Sequence, residues 1–282
     1  MKKNVKRIKD ILTRDELGIL PASLTYYFVL AIIPILTIMV LIASSFNISI
    51  DRVMLLLNDI LPSKVSNFII EVIAGKGFDS NVGFFNIVAL FVASNGTYAI
   101  VKTANNLYKV KDSDMIKDRV KSLIILFNIL LLLIFLLIVP IFGENILLLI
   151  QKSKTFSIIT DEVIFIVNLV KWPITFFIIF FNIKLIYTLS PSKQLKSKNT
   201  TIGALVTTML WMVSSIIFGY YLDYFANYDI LYGNLSSLII LMIWLYALAF
   251  VFVLGMIINT YYYKEELENE SKLKNEKESK DK

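Results

Sequence analysis

Apolar runs without charge recur along the chain, divided by polar segments that alternate in Lys and Arg content. They predict membrane-spanning helices near residues 24–46, 83–104, 122–142, 167–188, 202–222 and 236–258. A helix rising 1.5 Å per residue needs about 20 apolar residues to cross a hydrocarbon core about 30 Å thick. The first, third, fifth and sixth runs contain no Asp, Glu, Lys or Arg. The other two carry only Lys102, Lys171 and Lys184, each near an end where the ammonium snorkels to the interface. The pattern therefore predicts an all-α integral membrane protein, a six-transmembrane-helix bundle occupying residues 21–262. A basic cytoplasmic segment, 1–20, precedes it, and a charged, disordered cytoplasmic tail, 263–282, follows.

The first outer segment carries a different period. Val53, Leu56, Leu57, Ile60 and Leu61 share one helical face, and after Pro62 the spacing returns at Val65, Phe68, Ile69, Val72 and Ile73. Phe156, Ile159, Val163, Ile166 and Val170 repeat it before the fourth run. These stripes predict additional amphipathic interfacial helices on the outer side, either capping the bundle or walling a cavity.

Composition narrows the chemistry. Hydrophobic residues make up 57% of the chain and charged residues 18%, an excess that a soluble core does not absorb. Histidine and cysteine are absent, which removes imidazole bases, imidazole and thiolate metal ligands, and disulfides. Neither a metal nor a cofactor is expected. The lysines and arginines orient the chain: 22 fall in the segments at 1–20, 102–121, 184–198 and from 264 onward, against five in the opposite loops. Positive residues stay inside, so both termini are expected in the cytoplasm. The net charge of +6 then reflects topology and contact with membrane lipids rather than nucleic acid. The basic start runs into a full-length apolar segment with no small-residue cleavage site, so the first run is expected to remain as an anchor.

Within the runs, the informative residues are polar or helix-breaking. Pro34 lies in mid-run and removes a backbone hydrogen bond. Ser94, Asn95, Gly96 and Thr97 interrupt the second run halfway. Two readings stand: an unwound turn whose backbone faces a cavity, or a close helix approach, since Ala89, Ala93 and Thr97 form a row of small residues. No carboxylate lies deep in a run, which disfavours coupling through a buried acid.

Four segments carry a family resemblance: ASLTYYFVLAIIPILTIM from Ala22, LIYTLSP ending at Pro191, IGALVTTMLW ending at Trp211, and YDILYGNLSSLIILMIWLYALAFVFVLG from Tyr228 to Gly255. Together the chain resembles the YihY/BrkB family of bacterial inner-membrane proteins. The resemblance implies a six-span bundle, linked in some members to virulence or envelope properties, and carries over Tyr26, Tyr27, Pro34, Tyr187, Pro191, Trp211, Tyr228, Tyr232, Gly233, Trp244 and Asn259. Two positions depart from the pattern: Ile257 stands where the family commonly has Glu, and Thr188 where it often has Arg. A ribonuclease label has also been attached to such proteins. The acids here are scattered in loops, so catalysis on RNA is disfavoured and no enzyme is expected. The expected role is a transporter or a lipid- or amphiphile-handling envelope component. The alternative is a non-catalytic scaffold, with homo-oligomers or envelope proteins as partners.

Overall fold

The computed structural model describes residues 10–45, 64–65, 83–152, 160–224 and 228–280. Among them there is no strand. The long helices are α1 (Glu16–Ser45), α2 (Gly83–Leu107), α3 (Met115–Lys152), α4 (Thr160–Leu189) and α5 (Thr201–Tyr224). A short α6 (Tyr228–Tyr232) leads through a 3-10 turn, Gly233–Leu235, into α7 (Ser236–Lys280). Each apolar run falls inside one long helix, apart from residue 46. Two segments, Ser197–Leu222 and Ser236–Lys272, are long and apolar enough to cross a membrane, and Glu16–Ile32 and Pro173–Leu189 form shorter apolar helices.

The helices close into a ring. α1 packs on α2, α2 on α3, α3 on α4, α4 on α5, α5 on α7, and α7 returns to α1. Every long helix contributes to one core, through Leu24, Val101, Ile125, Ile183, Ala204 and Val253 among others. Helix ends are set locally. Asp114 accepts bonds from the backbone N–H of Ile116 at 2.9 Å and of Lys117 at 3.4 Å, capping α3. α2 ends in a Schellman turn, with Val110 N–H on the Asn105 carbonyl at 2.9 Å and Lys109 N–H on that of Asn106 at 3.0 Å. Lys109 takes the left-handed position, φ 54°, where glycine is the easier residue.

Three sequence expectations change. α2 stays helical through Ser94–Thr97, so the unwound turn is replaced by close packing. A Cβ on Gly96 would lie 3.2 Å from Ala31 Cβ and 3.6 Å from Phe28 Cδ1. The tail drawn as disordered from 263 continues α7 as a helix to Lys280. Glu268 precedes Lys272 by four residues, the order of charges that favours a helix. The boundary at residue 20 lies inside α1, which begins at Glu16 and buries Leu17 beside Leu24. Of the outer stripes, residues 51–63, 66–73 and 153–159 lie outside the described residues. Val163, Ile166 and Val170 belong to the first turns of α4, not to a separate helix.

Candidate functional site

The polar side chains gather at one end of the ring, where α2 ends, α3 begins, α4 ends, α5 begins and α7 leaves the bundle. Asp118, in the first turns of α3, has a side chain with 0% exposure. Lys102 Nζ donates to its Oδ2 at 3.0 Å, Asn105 Nδ2 to the same oxygen at 3.1 Å, and the Ser192 hydroxyl to Oδ1. The Asn105 amide oxygen accepts the Ser192 backbone N–H at 2.6 Å. One carboxylate thus ties α2, α3 and the turn after α4. Burial by itself raises the pKa of Asp118, but the Ser192 hydroxyl, the Lys102 ammonium and the Ser113 hydroxyl outweigh it and hold the carboxyl below its ordinary range. With its oxygens filled, this acid is a structural anion rather than a base. Beside it, Lys121 Nζ donates to the Pro191 carbonyl at 2.7 Å, and burial lowers its pKa against the opposing charge of Asp118.

The next residue in α3 turns the other way. Arg119 bypasses Asp118 and reaches the Asn95 amide oxygen at 3.0 Å and the Phe91 carbonyl at 3.4 Å. Its guanidinium carbon lies 4.3 Å from the Phe91 ring centre and 5.3 Å from that of Tyr98. Lys102 Nζ lies 5.2 Å from the same Tyr98 ring. Phe91, Asn95, Tyr98, Lys102 and Asn105 therefore form one ridge of α2, spaced by four and three residues. Ser94 and Thr97 face elsewhere. The Ser94 hydroxyl bonds the Phe91 carbonyl at 2.7 Å, and that of Thr97 bonds the Ser122 carbonyl at 2.7 Å. Of the interrupted stretch, then, Asn95 holds a charge while Ser94, Gly96 and Thr97 pack helices.

The residues carried over from the resemblance meet elsewhere, at the crossing of α4, α5 and α7. Tyr187 Oη lies 2.7 Å from Thr207 Oγ1 and donates to the Phe252 carbonyl at 2.7 Å. Trp211 Nε1 donates to the Leu248 carbonyl at 2.8 Å, and its ring stacks 6.0 Å from Phe252. The Asn259 amide oxygen accepts the Gly203 backbone N–H at 2.9 Å. Thr188 reaches the Thr200 hydroxyl at 2.8 Å, and Ile257 is buried in the apolar core. Trp244 is partly buried in α7, and Pro34 continues α1 without ending it. Tyr26 and Tyr27 meet edge to face at 5.3 Å on the exposed side of α1. At the far end of the ring, Tyr228 lies 3.3 Å from the Tyr221 hydroxyl and stacks on Tyr232 at 6.2 Å, ahead of Gly233 at φ 50°. The Tyr221 hydroxyl pushes the Tyr228 phenol up to about 12. Of these residues, Tyr187, Trp211 and Asn259 bond across helices, whereas Asp118, Asn105, Ser192 and Arg119 were absent from the sequence expectations. The ridge spacing on α2 was the available signal.

A third cluster joins the α4–α5 connection to α7. Lys196 pairs with Glu266 at 3.2 Å and Glu270 at 2.7 Å, and Lys198 pairs with Glu266 at 2.7 Å. The Lys198 ammonium and the Asn199 amide hold the Glu266 carboxyl down at about 2. A cavity of about 460 Å³ opens here. Both lysines are already paired with Glu266 and Glu270, so the cluster acts as a clasp on the start of the charged helix.

Apolar helices that cross through glycine and threonine, with charges kept towards the helix ends, are the construction of a membrane protein. The chain belongs to the Virulence factor BrkB family, whose profile matches residues 10–281. Among its relatives, the ribonuclease-like protein YfkH of Bacillus subtilis (strain 168) is 28% identical over 86% of this chain and 89% of its own length. A UPF0761 membrane protein of Vibrio atlanticus (strain LGP32) is 26% identical over 86% and 77%. The UPF0761 membrane protein VP0125 of Vibrio parahaemolyticus is 27% identical over the same shares. No solved structure matches the chain. The all-helical fold and these relatives make it a membrane protein of the BrkB and UPF0761 group.

Proposed function

We propose that the chain is a six-span protein of the bacterial cytoplasmic membrane, with both termini inside, that handles an amphiphile as a transporter or lipid-handling component. The observation carrying this reading is the seam between α2 and α3. Phe91 is 60% exposed along it, while Asn95, Tyr98 and Lys102 on the same ridge, with Arg119 of α3 against them, supply polar groups. A surface greasy at one side and cationic at the other suits a molecule with a chain and a head. The bias of Lys and Arg supports the orientation. RNA cleavage is not part of the proposal: the chain has no histidine, and the buried acid Asp118 has its oxygens occupied. The ribonuclease-like name belongs to the Bacillus relative.

The test is lipid retention. Full-length protein extracted in mild detergent and washed with excess detergent should keep bound amphiphile, visible by native mass spectrometry. A folded chain stripped of every lipid returns the reading to the non-catalytic scaffold.

A further inference from the structure

Resting on the amphiphile reading, we infer that Arg119, set against Tyr98 beside the paired Lys102, forms a recognition site for a phosphate-bearing lipid headgroup, on the bilayer side of the α2–α3 seam. The direction of Arg119 is the first argument. A helical side chain leans towards its helix N terminus, which for α3 is the end where α2 stops. A long cationic side chain in that position snorkels outward to the interface. Asp118 obeys this geometry and meets Lys102 and Asn105 near the end of α2. Arg119 does the reverse and meets Tyr98, Asn95 and Phe91, one to three turns deeper along the same ridge. From Lys102 to Asn95 the ridge descends about 10 Å at 1.5 Å per residue.

Charge is the second argument. Arg119 and Lys102 both lie against the ring of Tyr98, at 5.3 and 5.2 Å from its centre. Asp118 answers Lys102 at 3.0 Å, and among the described residues no carboxylate pairs with Arg119. Its partners are an amide oxygen, a backbone carbonyl and two ring faces, which orient the guanidinium without neutralising it. Two of its five N–H donors are engaged, and a planar fork with spare donors matches phosphate oxygens in a bidentate geometry.

The surroundings select the source of the phosphate. Val88 and Phe91 of α2 and Leu123 and Phe127 of α3 are all exposed large apolar side chains. They lie deeper along the two helices than Lys102 and Arg119. A soluble anion gains nothing from them, whereas the acyl chains of a bilayer lipid whose phosphate sits at Arg119 lie against them by van der Waals packing. The site thus takes the phosphate at Arg119 and the chains beyond it.

The experiment titrates the full-length protein in detergent with dioctanoyl phosphatidylglycerol, with dioctanoylglycerol, which lacks the phosphate, and with inorganic phosphate, counting bound molecules by native mass spectrometry. Wild type should bind the phosphatidylglycerol and Arg119→Gln about tenfold more weakly, the loss of one charge-assisted contact. Arg119→Lys, which keeps the charge without the fork, should fall between them and serves as the readout if the glutamine variant fails to fold. Lys117→Gln, removing an exposed lysine at the same end, should bind as wild type does. Equal binding of phosphatidylglycerol by wild type and both Arg119 variants overturns the inference. So does dioctanoylglycerol binding as tightly as the phospholipid, or inorganic phosphate displacing the phospholipid at equal concentration. A folded wild-type chain that binds neither lipid overturns the amphiphile reading itself.

Discussion

Gly203 and Gly219 lie in one helix and should respond in opposite ways to the same methyl group. At Gly203 a Cβ would fall 2.2 Å from the Gly255 carbonyl oxygen and 2.3 Å from Asn259 Oδ1. Carbon–oxygen contacts sit near 3.3 Å, so α5 and α7 would have to separate by about 1 Å at their crossing. Such a gap forfeits about a quarter to a half of each dispersion contact along the seam. It also breaks the Gly203 N–H bond to Asn259, worth about 0.6–1.7 kcal/mol between membrane helices. Adding an overpacking cost of about 1–3 kcal/mol, Gly203→Ala should destabilise the bundle by about 2–4 kcal/mol. At Gly219 nothing lies within 4 Å of the added carbon, and alanine is the better helix former by up to about 1 kcal/mol. Thermal unfolding in detergent, followed by tryptophan fluorescence with Trp211 stacked on Phe252 at the crossing, compares the two. Gly203→Ala should lower Tm while Gly219→Ala leaves it unchanged or raises it. Equal Tm values for the two variants would refute a backbone crossing this close.

Asp118→Asn should cost about 2 kcal/mol at neutral pH, because it removes the anion that Lys102, Asn105 and Ser192 surround. The folded pKa of Asp118 lies below its ordinary value. Its contribution is therefore present above about pH 4 and lost as pH falls through the folded pKa, and the variant should flatten the acid limb of a stability–pH curve. Lys109→Gly should raise Tm, since it relieves the left-handed backbone at φ 54° by about 1 kcal/mol; a lower Tm would contradict the turn. Single cysteines placed at Lys9, Lys117, Lys196 or Lys274 should resist an impermeant thiol reagent on spheroplasts, while those at Lys76, Lys154 or Asn227 should react. Labelling at Lys274 without labelling at Lys9 would require an odd number of spans.

Helices were the most legible part of the chain because a bilayer imposes length and polarity on every segment that crosses it. Runs such as 122–142 carry no competing pattern. The charged end of α7 was misread for the opposite reason. Its composition is that of a solvated tail, and helicity there follows from Glu–Lys spacing and from the Lys196 and Lys198 clasp on Glu266, some seventy residues away in sequence. Asp118 sits in a segment rich in charges, and its burial depends on Ser192, which only the tertiary fold delivers. The row Ala89, Ala93 and Thr97 was legible as small residues, and in the same stretch Gly96 lies against Ala31. Asn95, in the same tetrad, was not separable from them, because its partner Arg119 lies across an inter-helix turn.

That separation between Asn95 and its neighbours carries the functional argument further than the residues taken from the family resemblance. Tyr187, Trp211 and Asn259 spend their polar groups on backbone atoms of adjoining helices, so changing them tests whether the bundle holds together. Asn95 spends its amide oxygen on a guanidinium that has no carboxylate partner among the described residues. Substituting leucine for Asn95 removes that acceptor without touching the Gly96 contact, the Thr97 bond to Ser122 or the Asp118 network. Arg119 would then be free to snorkel outward, as its place near the start of α3 favours. If the seam reads a headgroup, Asn95→Leu should weaken phospholipid binding while Tm stays near that of wild type. A packing role for Asn95 alone predicts the reverse, a lower Tm with lipid binding intact.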